Sequence, residues 1–281
     1  MKKITRRSFL AAAGLSVAAL ALSACGGSSS STASSVASSA AASSEAASSS
    51  AAAAELTTVE AGKLTMATNA AFPPYEMTTD AGAFEGIDIE TAQAIADKLG
   101  LELQIDDMDF DAALLSVQQG KADIAMAGVT VTDERENVMD FSDSYATGIQ
   151  SIIVPEGSDI ASPDDLAGKK IGTQRGTTGY IYCSDDFGDD AVVAYDDGLT
   201  AVQALNNGQV DAVVIDNAPA KEFVAANPGL VILDTSYAEE DYAIGMAKGN
   251  TALEDAVNAA LEELKADGTL QSIVDKYIVA E

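Results

Sequence analysis

Two arginines, Arg135 and Arg175, are the side chains of this chain best suited to hold an anion. Arg135 follows Thr132-Asp-Glu, in which Thr132 is a typical helix N-cap and the two acids suit a first helical turn. An arginine in that turn opposes the helix dipole, so a carboxylate partner is expected for it. The spacing leaves two partners open, a bound ligand or one of the many surface acids.

Arg175 lies in the segment 174–179 (QRGTTG), directly after a predicted strand at 170–173. A glycine-containing turn between a strand and a helix presents free backbone N–H groups to an anion. The segment is not a P-loop, because no Lys-Ser or Lys-Thr pair follows the glycine. It predicts either an anion-binding turn or an ordinary strand–helix connection.

The residue types that are missing exclude several kinds of chemistry. The chain has no histidine and two cysteines. It therefore lacks Ser-His and Cys-His catalytic pairs, His-ligated or four-cysteine zinc sites, and iron–sulfur clusters. Residues 107–111 (DMDFD) resemble the start of a calcium loop, but Ala112 and Gln118 stand where that loop needs Gly and Glu. We predict no metal site and no cofactor.

The charge balance argues against nucleic acid as a partner. The chain has 44 acidic and 15 basic residues, for a formal net charge of -29. Such a surface repels nucleic acid and anionic membranes. We interpret the excess of acids as solvation and colloidal charge rather than as recognition of a substrate.

Residues 1–24 are predicted to be a signal peptide. A basic start precedes the mainly apolar run 9–22, which is too short to span a hydrocarbon core of ~30 Å. Residues 5–10 (TRRSFL) resemble the twin-arginine export motif, and general secretion is an equal alternative. Residues 22–25 (LSAC) resemble a lipobox, which implies cleavage before Cys25 and lipidation of its sulfur.

Residues 25–56 are predicted to be a lipidated cysteine followed by a tether. The segment is dominated by Ser and Ala and cannot bury enough apolar surface to offset its chain entropy. The folded body is expected to begin near residue 57. Its one cysteine, Cys183, is interpreted as a small apolar core residue.

Apolar periodicity in the body predicts alternating strands and helices. A strand is expected at 63–68, and a helix follows with Ile89, Ala92, Ile95 and Leu99 along one stripe. Alternation of this kind predicts an α/β fold in which mostly parallel sheets are flanked by helices.

A pattern in the body occurs twice. Residues 113–128 align with residues 201–216 at a constant offset, each as a helix, a glycine turn, an aspartate and a buried strand. Coincidence between two generic helix–strand units is the alternative to two similar lobes. The alignment predicts Gly128 and Asp216 at equivalent strand ends, where α/β sheets bind ligands, with a cleft between the lobes.

Short stretches of the body, in their order and spacing, resemble the extracytoplasmic solute-binding proteins of polar amino-acid ABC importers, family 3. The resemblance covers nearly all of the body. The matching stretches are 67–75 (ATNAAFPPY), 86–90 (GIDIE), 110–123, 127–135 (AGVTVTDER), 140–145 (DFSDSY), 172–179 and 213–216 (VVID).

The resemblance implies a two-lobed, Venus-flytrap fold of the periplasmic-binding-protein type. Lobe 1 is expected to comprise residues 57–146 and 237–281, and lobe 2 residues 147–236. The two crossings of the chain would form a hinge, so that ligand binding and closure are one event.

The resemblance also implies a set of ligand-binding residues. Arg135, the Thr130 hydroxyl and the Thr178 backbone would hold the α-carboxylate of an amino acid. Asp216 and the Gly128 carbonyl would hold its α-ammonium, and Phe72 and Phe110 would sandwich its side chain. The full set is Asn69, Phe72, Phe110, Ala127, Gly128, Thr130, Arg135, Gln174, Thr177, Thr178 and Asp216.

Two positions bear on which amino acid is bound. Asn69 stands where many relatives have Asp, which weakens the case for lysine, arginine or histidine. Gln174 suits a polar, neutral side chain. Arg175 would favour an acidic ligand if it turned inward, and its direction is left open.

The implied function is capture of an amino acid outside the membrane and its delivery to an ABC permease, by a lipid-anchored monomer that catalyses nothing. Two other classes stay open. One is a cyclohexadienyl-dehydratase-like enzyme on the same fold, with Glu76 as proton donor. The other is a sensor that reports the ligand.

Overall fold

The computed structural model describes residues 56–278. The predicted signal peptide, Cys25 and almost all of the tether lie outside the described residues. The strands are β1 (Lys63–Thr68), β2 (Ala71–Phe72), β3 (Glu76–Thr78), β4 (Phe84–Glu85), β5 (Glu102–Asp107), β6 (Ile124–Ala125), β7 (Met139–Phe141), β8 (Ala146–Pro155), β9 (Ile171–Gln174), β10 (Val192–Tyr195), β11 (Ala212–Asp216), β12 (Leu230–Ile232), β13 (Ala238–Tyr242) and β14 (Gly245–Ala247). The α-helices are α1 (Ile87–Leu99), α2 (Phe110–Gln118), α3 (Asp133–Glu136), α4 (Thr178–Phe187), α5 (Gly198–Asn206), α6 (Asn217–Ala226), α7 (Thr251–Ala266) and α8 (Thr269–Tyr277). Short 3₁₀ helices span Pro163–Leu166 and Asp189–Ala191.

The strands form two main sheets. The first has the order β5-β1-β6-β14-β7, and the second has the order β10-β9-β11-β8-β12 with β13 also paired to β8. In each sheet three strands run parallel: β1, β5 and β6 in the first, and β9, β10 and β11 in the second. A third, small sheet contains β2, β3 and β4.

The predicted α/β class, with sheets flanked by helices, is confirmed. Both sheets are mixed, because β14 runs antiparallel to β6 and β7, and β8 runs antiparallel to β11, β12 and β13. The three parallel strands on one side of each sheet are the ones that the helix–strand alternation predicts.

The chain passes between the sheets at two neighbouring places. After β7 it reaches β8, and after β13 it returns to β14. The two segments are hydrogen-bonded to each other: Tyr145 N donates to the Tyr242 carbonyl at 2.9 Å, and Ser142 N donates to the Ile244 carbonyl at 3.0 Å. Residues 238–242 pair within the second sheet, whereas the predicted boundary assigned 237–281 to lobe 1. The run Glu239-Glu240-Asp241 conceals this strand, because three consecutive acids are typical of a loop.

The core of the first sheet explains the stripe that the sequence shows on α1. Ile95 and Ala92 are fully buried on this helix, and the helix ends at Gly100, whose φ of 69° gives a left-handed C-cap. Leu261 of α7 lies in the same apolar cluster. A fully buried side chain of the size of Ile95 or Leu261 stabilises the fold by about 1.5–3 kcal/mol.

The second sheet has its own apolar clusters. Cys183 is fully buried in one of them, beside Ile152, Leu166 and Ile171, as its interpretation as a core residue requires. Burial raises the pKa of the Cys183 thiol to about 12.

Among residues 56–278, no helix is both long and apolar enough to cross a membrane.

Candidate binding site

One pocket contains every residue that the sequence predicted to bind a ligand. Its lining comes from both sheets and from the loops at their facing ends. These predicted residues are Asn69, Phe72, Phe110, Ala127, Gly128, Thr130, Arg135, Gln174, Thr177, Thr178 and Asp216. The pocket is also lined by Glu76, Gln150, Val214, Ile215 and Tyr242.

Arg135 lies in the first turn of α3, a helix whose N-cap is Thr132. The Thr132 hydroxyl accepts a hydrogen bond from the Arg135 backbone N–H at 3.2 Å, as predicted for an N-cap. The guanidinium is buried, with 8% of the residue exposed. It donates to the carbonyl oxygens of Thr130 at 2.7 Å and of Gly176 at 3.1 Å. Among the described residues these bonds go to neutral backbone groups rather than to surface acids.

Burial and nearby groups act on Arg135 in opposite directions. Burial lowers the pKa of its guanidinium, and the charge of Glu240 raises it. The guanidinium carbon also lies 5.4 Å from the centre of the Phe110 ring, within cation–π range. A guanidinium has five N–H donors, so the two carbonyl bonds leave donors for a carboxylate.

Arg175 lies outside the pocket. Its side chain is 53% exposed and forms an ion pair with Asp196 at 3.3 Å. The turn that it opens instead contributes Gln174, Thr177 and Thr178 to the pocket.

Asp216 ends β11 and caps α6. Its Oδ1 accepts from Ala218 N at 2.9 Å and its Oδ2 accepts from Ile149 N at 2.7 Å. Burial raises the pKa of this carboxyl to about 6, although the two backbone N–H groups oppose the shift. The residue is 2% exposed, so its carboxylate is a buried acid suited to pair with a cation.

Gly128 lies opposite, in a backbone conformation that favours glycine. Its φ is 55°, and a Cβ placed there would lie 2.9 Å from the Phe72 ring. Its N–H donates to Asp88 Oδ2 at 3.0 Å. The predicted symmetry of Gly128 with Asp216 is only approximate, because β6 ends at Ala125, before Gly128, whereas β11 ends at Asp216 itself.

The pocket has an aromatic side. Phe72 stacks on Tyr75, with ring centres 5.7 Å apart, and Tyr75 meets Tyr242 edge-on at 5.4 Å. Phe72 also packs against the apolar clusters of both sheets. Phe110 begins α2 and is buried.

Polar contacts cross the pocket between the two halves. Gln174 Nε2, at the end of β9, donates to Asn69 Oδ1, next to the end of β1, at 2.9 Å. Thr130 and Thr178 bring their hydroxyl oxygens to 3.5 Å. Together with the bond from Arg135 to Gly176, these contacts join the halves across the cleft.

Glu76, which lines the pocket, lies close to a second buried acid, Asp88. Burial raises the pKa of Glu76 well above its ordinary value, and the nearby charge of Asp88 raises it further. Burial also raises the pKa of Asp88 to about 6. Asp88 Oδ2 also accepts from Tyr145 Oη at 2.8 Å, besides Gly128 N. Asp88 therefore orients the Gly128 backbone.

Sequence reasoning missed Gln150, Tyr242 and Glu240. Gln150 interrupts the apolar run of β8, and a lone buried amide in such a strand is a usable signal. Glu240 gives no signal in its acidic run, although it is 6% exposed and accepts from Gln150 Nε2 at 2.9 Å.

Comparison with known proteins gives a consistent set of relatives. The profile of "Bacterial extracellular solute-binding proteins, family 3" matches residues 64–280. The L-cystine-binding protein TcyJ of Escherichia coli (strain K12) is 33% identical over 226 residues, which cover 79% of this chain and 85% of that protein.

Solved structures add the fold. An ancestral arginine-binding protein bound to arginine is 42% identical with a TM-score of 0.74, covering 77% of this chain and 98% of that one. An ancestral arginine-binding protein bound to glutamine is 41% identical, also with a TM-score of 0.74, covering 78% of this chain and 99% of that one.

Proposed function

The chain belongs to the bacterial extracellular solute-binding proteins of family 3, and we propose that it binds a polar, neutral amino acid in the pocket described above and delivers it to an ABC permease. The relatives are named as binding proteins for amino acids, not as enzymes. Their names therefore argue against the dehydratase alternative with Glu76 as proton donor.

One observation carries the proposal: a buried arginine and a buried aspartate line the same pocket from opposite sheets. Arg135 precedes β7 of the first sheet, and Asp216 ends β11 of the second. A buried charge must be paired, and a zwitterion supplies both partners at once. In the proposed scheme Arg135, the Thr130 hydroxyl and the Thr178 backbone bind the α-carboxylate, and Asp216 and the Gly128 carbonyl bind the α-ammonium.

The remaining residues of the pocket would select the side chain. Phe72 and Phe110 offer apolar rings, and Ala127 and Thr177 complete the lining. At one end, Asn69 and Gln174 hydrogen-bond to each other through neutral amides. Amides offer both donors and acceptors without charge, which favours a polar, neutral side chain over a cationic one.

In the proposed function, the two lobes close around the ligand. We propose lobes at residues 57–146 and 237–281 and at residues 147–236, except that β13 pairs with β8 of the second sheet. Closure would bring Arg135 and Asp216 onto one ligand, so the ligand binds the closed state better. The proposed protein is a monomer outside the cytoplasm, anchored by a lipid on Cys25.

A ligand screen tests the proposal. Purified protein is titrated by calorimetry with each of the twenty amino acids. A polar, neutral amino acid should bind most tightly, well below millimolar Kd, which corresponds to about -4 kcal/mol. Binding of none of them below about millimolar would refute the function, and tightest binding of arginine would refute the neutral ligand alone.

A further inference from the structure

A buried carboxylate outside the proposed scheme contacts a residue inside it. Glu240 lies on β13 and its Oε2 accepts hydrogen bonds from Thr130 Oγ1 at 3.1 Å and from Gln150 Nε2 at 2.9 Å. Both donors line the pocket, whereas Glu240 does not. Its other oxygen, Oε1, is buried without a hydrogen bond within the described part of the chain.

The contact uses the one hydrogen that Thr130 can donate. A hydroxyl has a single donor hydrogen, and an ionised carboxylate only accepts, so the Thr130 hydrogen points to Glu240. The other neighbour, the Thr178 hydroxyl at 3.5 Å, can donate to Thr130 instead of accepting. An α-carboxylate also only accepts. Glu240 and a ligand carboxylate therefore compete for the same hydrogen.

Glu240 also acts on the arginine of the site. Arg135 donates to the Thr130 carbonyl at 2.7 Å, and the Thr130 hydroxyl donates to Glu240. Glu240 and Arg135 are therefore both hydrogen-bonded to Thr130. The negative charge of Glu240 stabilises the buried guanidinium. Part of the attraction that Arg135 would exert on a ligand carboxylate is thereby offset before any ligand arrives.

We propose that Glu240 sets the affinity of the site, as an internal competitor of the ligand α-carboxylate for the Thr130 hydroxyl and the Arg135 charge. The inference rests on the proposed function. It implies that the site binds its ligand less tightly than Arg135 and Thr130 alone would allow, which eases release.

The substitution Glu240→Gln tests this with almost no change of shape. Because Thr130 and Gln150 both donate to Oε2, the glutamine oxygen can take that position and accept from both. As a neutral acceptor it holds the threonine hydrogen less strongly than a carboxylate does, and it no longer offsets the Arg135 charge. The matched control is Glu239→Gln, which removes the same charge from the neighbouring, exposed position of β13. By calorimetry with the amino acid that wild type binds best, Glu240→Gln should lower Kd about tenfold, and Glu239→Gln should change it less than about twofold.

Two further variants locate the effect. In a Thr130→Ala background the gain from Glu240→Gln should shrink to less than about threefold, because the contested hydrogen is absent. Glu240→Asp keeps the charge but draws it away from Thr130, so it should tighten binding by less than Glu240→Gln, and it serves if the glutamine variant does not fold.

The outcomes separate this inference from the function it rests on. Wild type that binds no amino acid contradicts the proposed function. Wild type that binds, together with a folded Glu240→Gln variant whose affinity is equal or weaker, overturns the role of Glu240.

Discussion

Arg135 carries a buried positive charge whose hydrogen bonds go to two neutral carbonyls. Burying a cation without a full counter-charge is costly, and proteins accept that cost mainly at sites that bind something. Arg175, the other arginine of the body, is the contrasting case, since it is exposed and paired with Asp196 on the surface.

This contrast gives a first prediction. Arg135→Met should weaken amino-acid binding by about 3 kcal/mol or more, over 100-fold in Kd, because a buried ligand carboxylate loses its partner. Arg175→Met is the matched control and should change Kd less than about twofold, since exposed ion pairs contribute little. Calorimetry measures both, and equal affinities of the two variants would contradict the role of Arg135.

The second prediction concerns Asp216 and pH. Its pKa is raised to about 6 by burial, and only the ionised carboxylate can pair with a ligand ammonium. Binding should therefore be fully developed above neutral pH and weaken as pH falls through 6, by about tenfold at a pH of about 5. In Asp216→Asn the affinity should be lower throughout and should fall less between the same pH values. A wild-type Kd that stays constant over this range would argue against the pairing.

At this scale the sequence is informative where side chains sit in motifs of fixed spacing. Arg135 follows its cap Thr132, and Asp216 ends an apolar strand, so both could be found without coordinates. Glu240 could not, because its burial depends on Thr130 and Gln150, which are distant in the chain.

Among the elements, α7 and α2 show how burial decides the energetics of similar helices. Leu261 on α7 is fully buried in the core of the first sheet, whereas Leu115 on α2 is 49% exposed. The third prediction follows: Leu261→Ala should lower the free energy of unfolding by about 2–5 kcal/mol, because it removes buried apolar contacts and leaves a cavity. Leu115→Ala should lower it by less than about 0.5 kcal/mol.

Denaturant unfolding of both variants measures the difference. Similar losses for Leu261→Ala and Leu115→Ala would show that the apolar cluster of the first sheet does not carry the stability assigned to it.

Strands and helices with a regular pattern of buried residues are the elements best predicted from the sequence, because that pattern is local information. Strand β1, for example, spans Lys63–Thr68 as predicted. The acidic strand β13 depends on its partner β8 for pairing, so the local sequence pattern does not reveal it.

For the molecule as a whole, fold class and family follow from the order of its motifs, and the family profile extends over residues 64–280. The excess of acids contributes nothing to that inference. It places negative charge on the surface, while the site depends on one arginine and a few buried acids. What the sequence does not provide is the exact place where the chain leaves the second sheet, because the strand that crosses is the one rich in acids.

The position of β14 has a consequence for the order in which the chain can complete itself. All six strands of the second sheet lie within residues 146–242, whereas β14, at Gly245–Ala247, lies between β6 and β7 of the first. During synthesis from the N-terminus, the first sheet to begin is therefore the last to be finished. The place between β6 and β7 stays empty until β14 has been made, more than a hundred residues after β6. A pairing between strands so distant in sequence is slow to form. The second sheet has no strand that comes so late in the sequence, so all of its strands can pair as soon as β13 has been synthesised.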